Sequence, residues 1–112
     1  MPDEGVQITT TVARVLRAFL DDIGEPRYGF ELMKLTGLPS GTLYPILARL
    51  ESAGWLISRR EEIDPASAGR PVRRMYLISP SAAQVARAEL AALSEELRPP
   101  SALRLHPRGG TT

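Results

Sequence analysis

The sequence predicts a mainly α-helical domain with a small β-hairpin, followed by one further helix. Three observations predict this fold class. Apolar residues recur at helical spacing through the first half of the chain. Two short strand-like segments, 55–62 and 72–78, follow these helices, and a turn-rich stretch separates them. Helical spacing then returns from about residue 80 and runs to about residue 98, where two prolines interrupt it.

Apolar residues at helical spacing between Ile8 and Ile23 predict the first helix, and a second is predicted over about 28–36. Thr9 or Thr10 suits the N-cap of the first, because a hydroxyl there can accept a hydrogen bond from a free backbone N–H. Gly37 suits the left-handed residue that commonly ends a helix, so it marks the end of the second.

The third helix is predicted from a clean apolar stripe at i, i+3, i+4 and i+7, made of Leu43, Ile46, Leu47 and Leu50. Pro45 favours a start near Thr42, because a proline in the first turn loses no hydrogen bond. A start at Ser40 would instead predict a distorted opening turn. Gly54 ends the helix.

Between the two strands, residues 63–71 contain Asp-Pro and Gly-Arg-Pro turn signals, which predict an extended β-loop with an arginine-rich base. Ser79 or Ser81 then caps the fourth helix. These boundaries divide the chain into a domain over 8–79, a C-terminal dimerisation helix over 80–98 and a disordered tail over 99–112.

Composition excludes several function classes. The chain has no cysteine and a single histidine, His106 in the tail, so neither a thiolate site nor a metal site is expected. No Ser/His/Asp set, phosphate loop or paired carboxylates appear, which argues against an enzyme and predicts no cofactor. No apolar run reaches membrane-spanning length, so a soluble, cytoplasmic protein is expected, with no membrane partner.

Positive charge is concentrated in the middle of the chain. Residues 40–76 carry six basic and four acidic side chains, whereas residues 1–39 carry four basic and six acidic ones. This basic region covers the third helix and both strands, which is where a nucleic-acid surface would lie.

Three short helices followed by a β-hairpin is the order of a winged helix-turn-helix, in which the third helix is the recognition helix. Its polar side presents the candidate DNA contacts Ser40, Gly41, Thr42, Tyr44 and Arg49. Hydroxyls and backbone N–H groups at a helix N-terminus suit a phosphate, and an arginine suits a guanine edge. The alternatives are that the hydroxyls are only caps, Tyr44 is partly buried and Arg49 is merely solvated.

The hairpin supplies the candidate wing contacts Arg70, Arg73 and Arg74. Strand alternation places Arg73 and Arg74 on opposite faces, so we expect only some of these arginines to face DNA together. Arg70, in the loop, is the preferred contact. Arg59 and Arg60 are expected to be offset by the two glutamates that follow them.

The fourth helix carries a heptad-like stripe, Ala83, Ala86, Leu90, Leu93 and Leu97, and the last four are the candidate dimerisation residues. Two heptads are too short for an independent coiled coil, so the first helix is expected to supply part of the interface. The alternative is that the stripe packs on its own core. A dimer would read two half-sites about 34 Å apart on double-stranded DNA.

Three segments together resemble the PadR family of regulators: YGFEL at 28–32, GTLYPILARLE at 41–51 and GRPVRRMYLIS at 69–79. The resemblance implies a winged-helix DNA-binding repressor, or in some members an activator, that dimerises through C-terminal helices, and several members sense small molecules. It also implies contacts from Ser40, Thr42 and Tyr44 on the recognition helix and from the three wing arginines. The sequence departs from the family pattern at Met75, where a second aromatic is common, and in having a single C-terminal helix.

The sequence therefore predicts a DNA-binding transcriptional regulator, a repressor that binds a palindromic operator as a homodimer. The alternative is a winged-helix module that binds another protein and not DNA. A small-molecule effector near Trp55, at the dimer interface, is a further hypothesis, and the simpler interpretation of Trp55 is a core residue.

Overall fold

A computed structural model describes residues 6–99, so the predicted tail, including His106, lies outside the described residues apart from Pro99. The elements in chain order are α1 (Thr10–Leu20), β1 (Arg27–Tyr28), α2 (Gly29–Thr36), α3 (Ser40–Ser52), β2 (Leu56–Arg60), α4 (Pro65–Ala68), β3 (Arg74–Ile78) and α5 (Pro80–Glu96). The predicted fold class, a mainly helical winged helix-turn-helix, is confirmed. Among the described residues, no helix combines the length and apolar character needed to cross a membrane.

The predicted helix ends are confirmed at three places. The Thr9 hydroxyl accepts a hydrogen bond from the Val12 backbone N–H at 3.1 Å and so caps α1. Gly37 ends α2 with a φ of 73°, a left-handed conformation that costs glycine little. Of the two serines considered for α5, it is Ser79 that caps the helix, with Pro80 at its first position.

The start of α3 was predicted wrongly. The helix begins at Ser40 rather than Thr42, with Pro39 as N-cap. The Pro39 carbonyl accepts hydrogen bonds from the backbone N–H groups of both Thr42, at 3.0 Å, and Leu43, at 2.9 Å, so the opening turn mixes two helical bonding patterns. Pro45 therefore lies inside the helix and removes one of its hydrogen bonds.

Packing explains why α3 starts early despite Pro45. Leu38, in the turn before the helix, is buried in the core, and its backbone N–H donates to the Thr36 hydroxyl at 3.2 Å. This anchor leaves the chain only one residue, Pro39, in which to turn into α3. The apolar stripe on α3 is buried as predicted, with all four of its members at most 7% exposed.

The sheet has three antiparallel strands in the order β1-β3-β2, where a two-stranded hairpin was expected. The strands β2 and β3 are shorter than the predicted 55–62 and 72–78, and their last pair before the connecting loop is Arg60 with Arg74. The additional strand β1 pairs Arg27 with Tyr76 and Tyr28 with Met75. Two residues are too few for a strand pattern to show in the sequence.

Residues 61–73, which connect β2 to β3 and are called the wing below, do not form the extended β-loop that was predicted. They contain the one-turn helix α4, whose start Asp64 caps by accepting from the Ala66 backbone N–H at 3.2 Å. Gly69 closes the turn with a φ of 71°, and its N–H donates to the Pro65 carbonyl at 2.9 Å. The wing is therefore a folded turn.

One apolar core joins α1, α3, the sheet and the first half of α5. Trp55 and Phe19, each 1% exposed, are the largest side chains in it. The stripe on α5 is divided. Ala83 and Ala86 are buried in this core, whereas Leu90 and Leu93 are half-buried and Leu97 is 69% exposed. Ala86 therefore has no surface to offer a second subunit, and its prediction as a dimerisation residue was wrong.

Candidate nucleic-acid interface

The five candidate contacts on α3 all lie on its solvent-exposed side. Ser40, Gly41 and Thr42 form the opening turn. The backbone N–H groups of Ser40 and Gly41 have no partner within the helix, whereas the Thr42 N–H donates to the Pro39 carbonyl. Thr42 does not serve as the cap that the sequence suggested. Tyr44 and Arg49 follow on the same side, and Tyr44 is 43% exposed.

Tyr44 lies against the start of α2. A Cβ atom placed on Gly29 would overlap the Tyr44 hydroxyl, so the Tyr44 side chain can keep this position against α2 only while residue 29 is glycine. The structure thus combines the two interpretations of Tyr44, because its hydroxyl end packs on α2 while a large part of the side chain faces solvent.

The start of α2 is held by neighbouring charged groups. The Glu31 carboxylate accepts from the Tyr28 backbone N–H at 3.4 Å and forms an ion pair with Arg27 at 2.8 Å. The strand β1 carries both Arg27 and Tyr28, so the sheet and the first helix of the helix-turn-helix are joined at this point.

Glu61 begins the wing, and its carboxylate receives four hydrogen bonds. Arg70 donates two of them through its two terminal nitrogens, at 2.7 and 3.0 Å. The Arg73 backbone N–H donates the third at 3.0 Å, and the Tyr28 hydroxyl donates the fourth at 3.1 Å. The pKa of Glu61 falls to about 2, chiefly because Arg70 bonds to the ionised form. The pKa of Tyr28 is raised, first because its hydroxyl donates to this carboxylate.

Arg70 is therefore not a free wing cation. Its guanidinium group is occupied by Glu61, and its side chain is only 33% exposed. Nothing in the sequence indicated this pair, because nine residues and a turn separate its members. The sequence had also assigned Glu61 to offset Arg59 and Arg60, but neither of those arginines forms an ion pair within residues 6–99.

Arg73 and Arg74 have different partners, but both line the cleft described next, so the prediction that strand alternation places them on opposite faces was wrong. Arg73 lies just before β3, where that alternation does not apply. The Arg73 guanidinium lies over the Tyr28 ring, 5.2 Å from its centre. Arg74 donates to the Ser58 hydroxyl at 3.0 Å and lies 4.0 Å from Glu51, while its side chain remains 51% exposed.

A cleft of about 240 Å³ brings these parts together. It is lined by α3, by the start of α2 and by the base of the wing, through Tyr28, Gly29, Phe30, Tyr44, Arg73, Arg74 and Tyr76. The recognition helix and two of the three predicted wing arginines thus meet at one surface.

The second half of α5 borders a groove of about 600 Å³ against α1. Leu90, Leu93 and Leu97 line one side of it, and Ala13, Arg14 and Arg17 are among the residues of α1 on the other. Three of the four predicted dimerisation residues therefore share one open surface with residues of α1.

Trp55 also borders a cavity, of about 330 Å³, which is lined in addition by Val6, Ile8, Val85 and Glu89. Its side chain is nonetheless 1% exposed and belongs to the core. No group of three or more potential metal ligands occurs in the part of the chain that the structure describes.

No protein-family model matches the chain, and neither does any curated protein. Solved structures do match. A PadR family transcriptional regulator from Eggerthella lenta DSM 2243 is 31% identical, with a TM-score of 0.55, over 79% of this chain and 74% of that one. AbfR of Staphylococcus epidermidis is 24% identical with a TM-score of 0.62, over 81% of this chain. Overoxidised AbfR bound to DNA is 26% identical with a TM-score of 0.63, over 80% of this chain.

The chain spans between 56% and 63% of the length of the AbfR structures. The order of its helices and strands, together with this shared fold, defines a protein of the winged helix-turn-helix class. The chain is 31% identical to the Eggerthella lenta regulator and covers 74% of it, so it belongs to the PadR family.

Proposed function

We propose that this protein binds operator DNA as a homodimer and represses transcription. The observation that carries the proposal is the cleft at which α3, the start of α2 and the wing base meet, with Tyr44, Arg73 and Arg74 in its wall. The AbfR structures bound to DNA support it, because they share this fold.

In this proposal α3 enters the major groove, whose width accommodates a helix. The free backbone N–H groups of Ser40 and Gly41 and the hydroxyls of Ser40 and Thr42 bind phosphate oxygens at the positive end of the helix. Arg49 reaches a base edge, while Arg73 and Arg74 bind the backbone beside the groove. Arg70 makes no such contact, because Glu61 occupies its guanidinium group.

Selection of bound sequences from a random duplex pool tests this proposal. We expect a palindrome whose half-sites lie about one helical turn apart, and an affinity that falls steeply with salt. Thr42→Ala and Tyr44→Ala should weaken binding while the thermal unfolding midpoint stays close to that of the wild type. Failure to bind any duplex in dilute salt would refute DNA binding.

The homodimer is proposed to form through the groove between α1 and α5. Apolar side chains on the open part of α5 would gain burial under a second subunit, and the exposed Leu97 is one of them. Leu93→Glu should give monomers in sedimentation experiments, because burying a charge there is costly. Ile57→Glu is the matched control, since it adds the same charge to an exposed residue of β2. A dimer that survives Leu93→Glu would exclude this interface.

Exposed apolar side chains on α2 favour one alternative, a module that binds another protein instead of DNA. Phe30 is 67% and Leu35 is 51% exposed. Such a module would bind its partner with little of the steep salt dependence expected for DNA, so the duplex experiment above also separates the two functions.

A small-molecule effector in the cavity beside Trp55 is a further proposal, which the size of that cavity supports. Trp55 is the only tryptophan of the chain, so its fluorescence reports on this site alone. Planar phenolic compounds should quench it if they bind there, and an unchanged signal across a panel of them would exclude the site.

A further inference from the structure

Glu61 is an acidic residue in a surface that the proposed function brings against phosphate groups. An unpaired carboxylate there would repel DNA. Its side chain, however, is 9% exposed, and each of its oxygens accepts two hydrogen bonds. Its charge is therefore paired, and the bonds are of the strong charge-assisted kind.

The donors to Glu61 are three residues from two separate parts of the chain. Arg70 and Arg73 lie at the far end of the wing, nine and twelve residues away. Tyr28 lies 33 residues away, immediately before α2. The carboxylate thus joins the two ends of the wing to each other and to the first helix of the helix-turn-helix.

This arrangement also sets the position of Arg73. Its backbone N–H is held by Glu61, and its guanidinium group lies over the ring of Tyr28, the same residue whose hydroxyl bonds to Glu61. From there Arg73 lines the cleft beside Tyr44. A wing cation is thereby placed next to the recognition helix.

We propose that Glu61 is a positioning residue for DNA binding, which holds the wing through Arg70 so that Arg73 faces the nucleic acid. The inference rests on the proposed function. It assigns Arg70 a supporting role and Arg73 the contact with phosphate, which reverses the order of preference that the sequence suggested.

The sign of one effect distinguishes this proposal from simple electrostatics. Glu61→Gln removes a negative charge, which by charge alone should strengthen DNA binding. If Glu61 positions the wing, the same change weakens binding, by about tenfold for the loss of a charge-assisted network. The control is Glu62→Gln, because Glu62 is exposed and its side chain has no ion pair or hydrogen bond within the described residues. It should bind as well as the wild type or more tightly.

Substitution of the arginines separates support from contact. Arg70→Lys keeps the positive charge but loses the bidentate hydrogen bonds to Glu61, so it should weaken DNA binding about as much as Glu61→Gln. A lysine that contacted phosphate directly would retain most of the affinity. Arg73→Gln should lower the slope of log affinity against log salt by about one for each subunit.

A measurement without DNA keeps the positioning role testable by itself. Hydrogen exchange of the Arg73 backbone amide should be faster in Glu61→Gln than in the wild type, because its acceptor is weakened. The NMR titration of Tyr28 should shift towards an ordinary tyrosine pKa in the same variant. Glu62→Gln should change neither.

Two results would overturn the proposal: affinity for DNA that is unchanged or higher in Glu61→Gln, or exchange of the Arg73 amide that is the same in both proteins. Should the wild type bind no duplex, the proposed function fails, and the exchange result alone decides whether Glu61 holds the wing.

Discussion

Pro45 lies inside α3, where it should lower the stability of the protein. It is exposed, so Pro45→Ala removes little buried surface. A proline inside a helix is about 3 kcal/mol less favourable than alanine. Replacing it also frees the unfolded chain, which offsets roughly 0.4–1 kcal/mol of the gain. The net expectation is a free energy of unfolding that rises by about 2 kcal/mol.

The assay is thermal and urea unfolding at one fixed protein concentration, since a dimer's stability depends on concentration. For a domain of this size a gain of about 2 kcal/mol raises the unfolding midpoint by roughly 8–16 °C. Pro80→Ala is the matched control, because Pro80 occupies the first position of α5, where proline costs nothing. It should leave stability unchanged or slightly lower.

The refuting result follows from the alternative start of α3. If the helix opened at Thr42, Pro45 would lie in its first turn and its missing N–H would matter little. Pro45→Ala would then lower stability slightly, as Pro80→Ala should. A gain in stability that is seen in Pro45→Ala and not in Pro80→Ala supports the start of α3 at Ser40. An equal, small loss of stability in both variants would exclude that start.

Three further outcomes are expected. Gly29→Ala should change the free energy of unfolding by less than about 1 kcal/mol, because the added Cβ meets only the end of the exposed Tyr44 side chain. The same change should weaken DNA binding, but it should have no further effect on affinity when it is made in the Tyr44→Ala variant. Glu61 has a pKa lowered from 4.5 to about 2, so the stability that its ionised form contributes is present above pH 4.5 and is lost as the pH falls towards 2. The difference in urea midpoint between the wild type and Glu61→Gln should therefore shrink over that pH range, and a constant difference would contradict this. Leu47→Ala should lower the free energy of unfolding by about 2–5 kcal/mol, because Leu47 is completely buried, whereas Arg49→Ala should change it by less than about 0.5 kcal/mol.

The helices could be predicted from the sequence because their signals are local. The apolar stripe of α3 and the caps at Thr9 and Ser79 depend on residues within one or two turns, and the structure confirms them. The folded turn of the wing was also open to prediction. Asp64 before Pro65 is a helix-start signal, and Gly69 is an end signal, but four residues were interpreted as a loop.

Other features depend on contacts between distant residues. The bond of Arg70 to Glu61 requires the particular path of the wing, and the buried part of α5 depends on how Ala86 meets the core. Residue type and spacing predicted a role in DNA binding for these arginines and in dimerisation for these apolar residues. They could not show which of them face inwards, because one stripe or charge cluster fits several packings.

The central position of β3 has a consequence for the order of folding. Its pairing with β2 is local, whereas its pairing with β1 joins Tyr28 to Met75, about 47 residues along the chain. Such distant contacts form late, because closing a long loop costs entropy before any contact compensates it. During synthesis Tyr28 leaves the ribosome well before Met75, so the helix-turn-helix exists for a time without its wing attached. We therefore expect the nascent chain to acquire affinity for nucleic acid only after β3 has emerged.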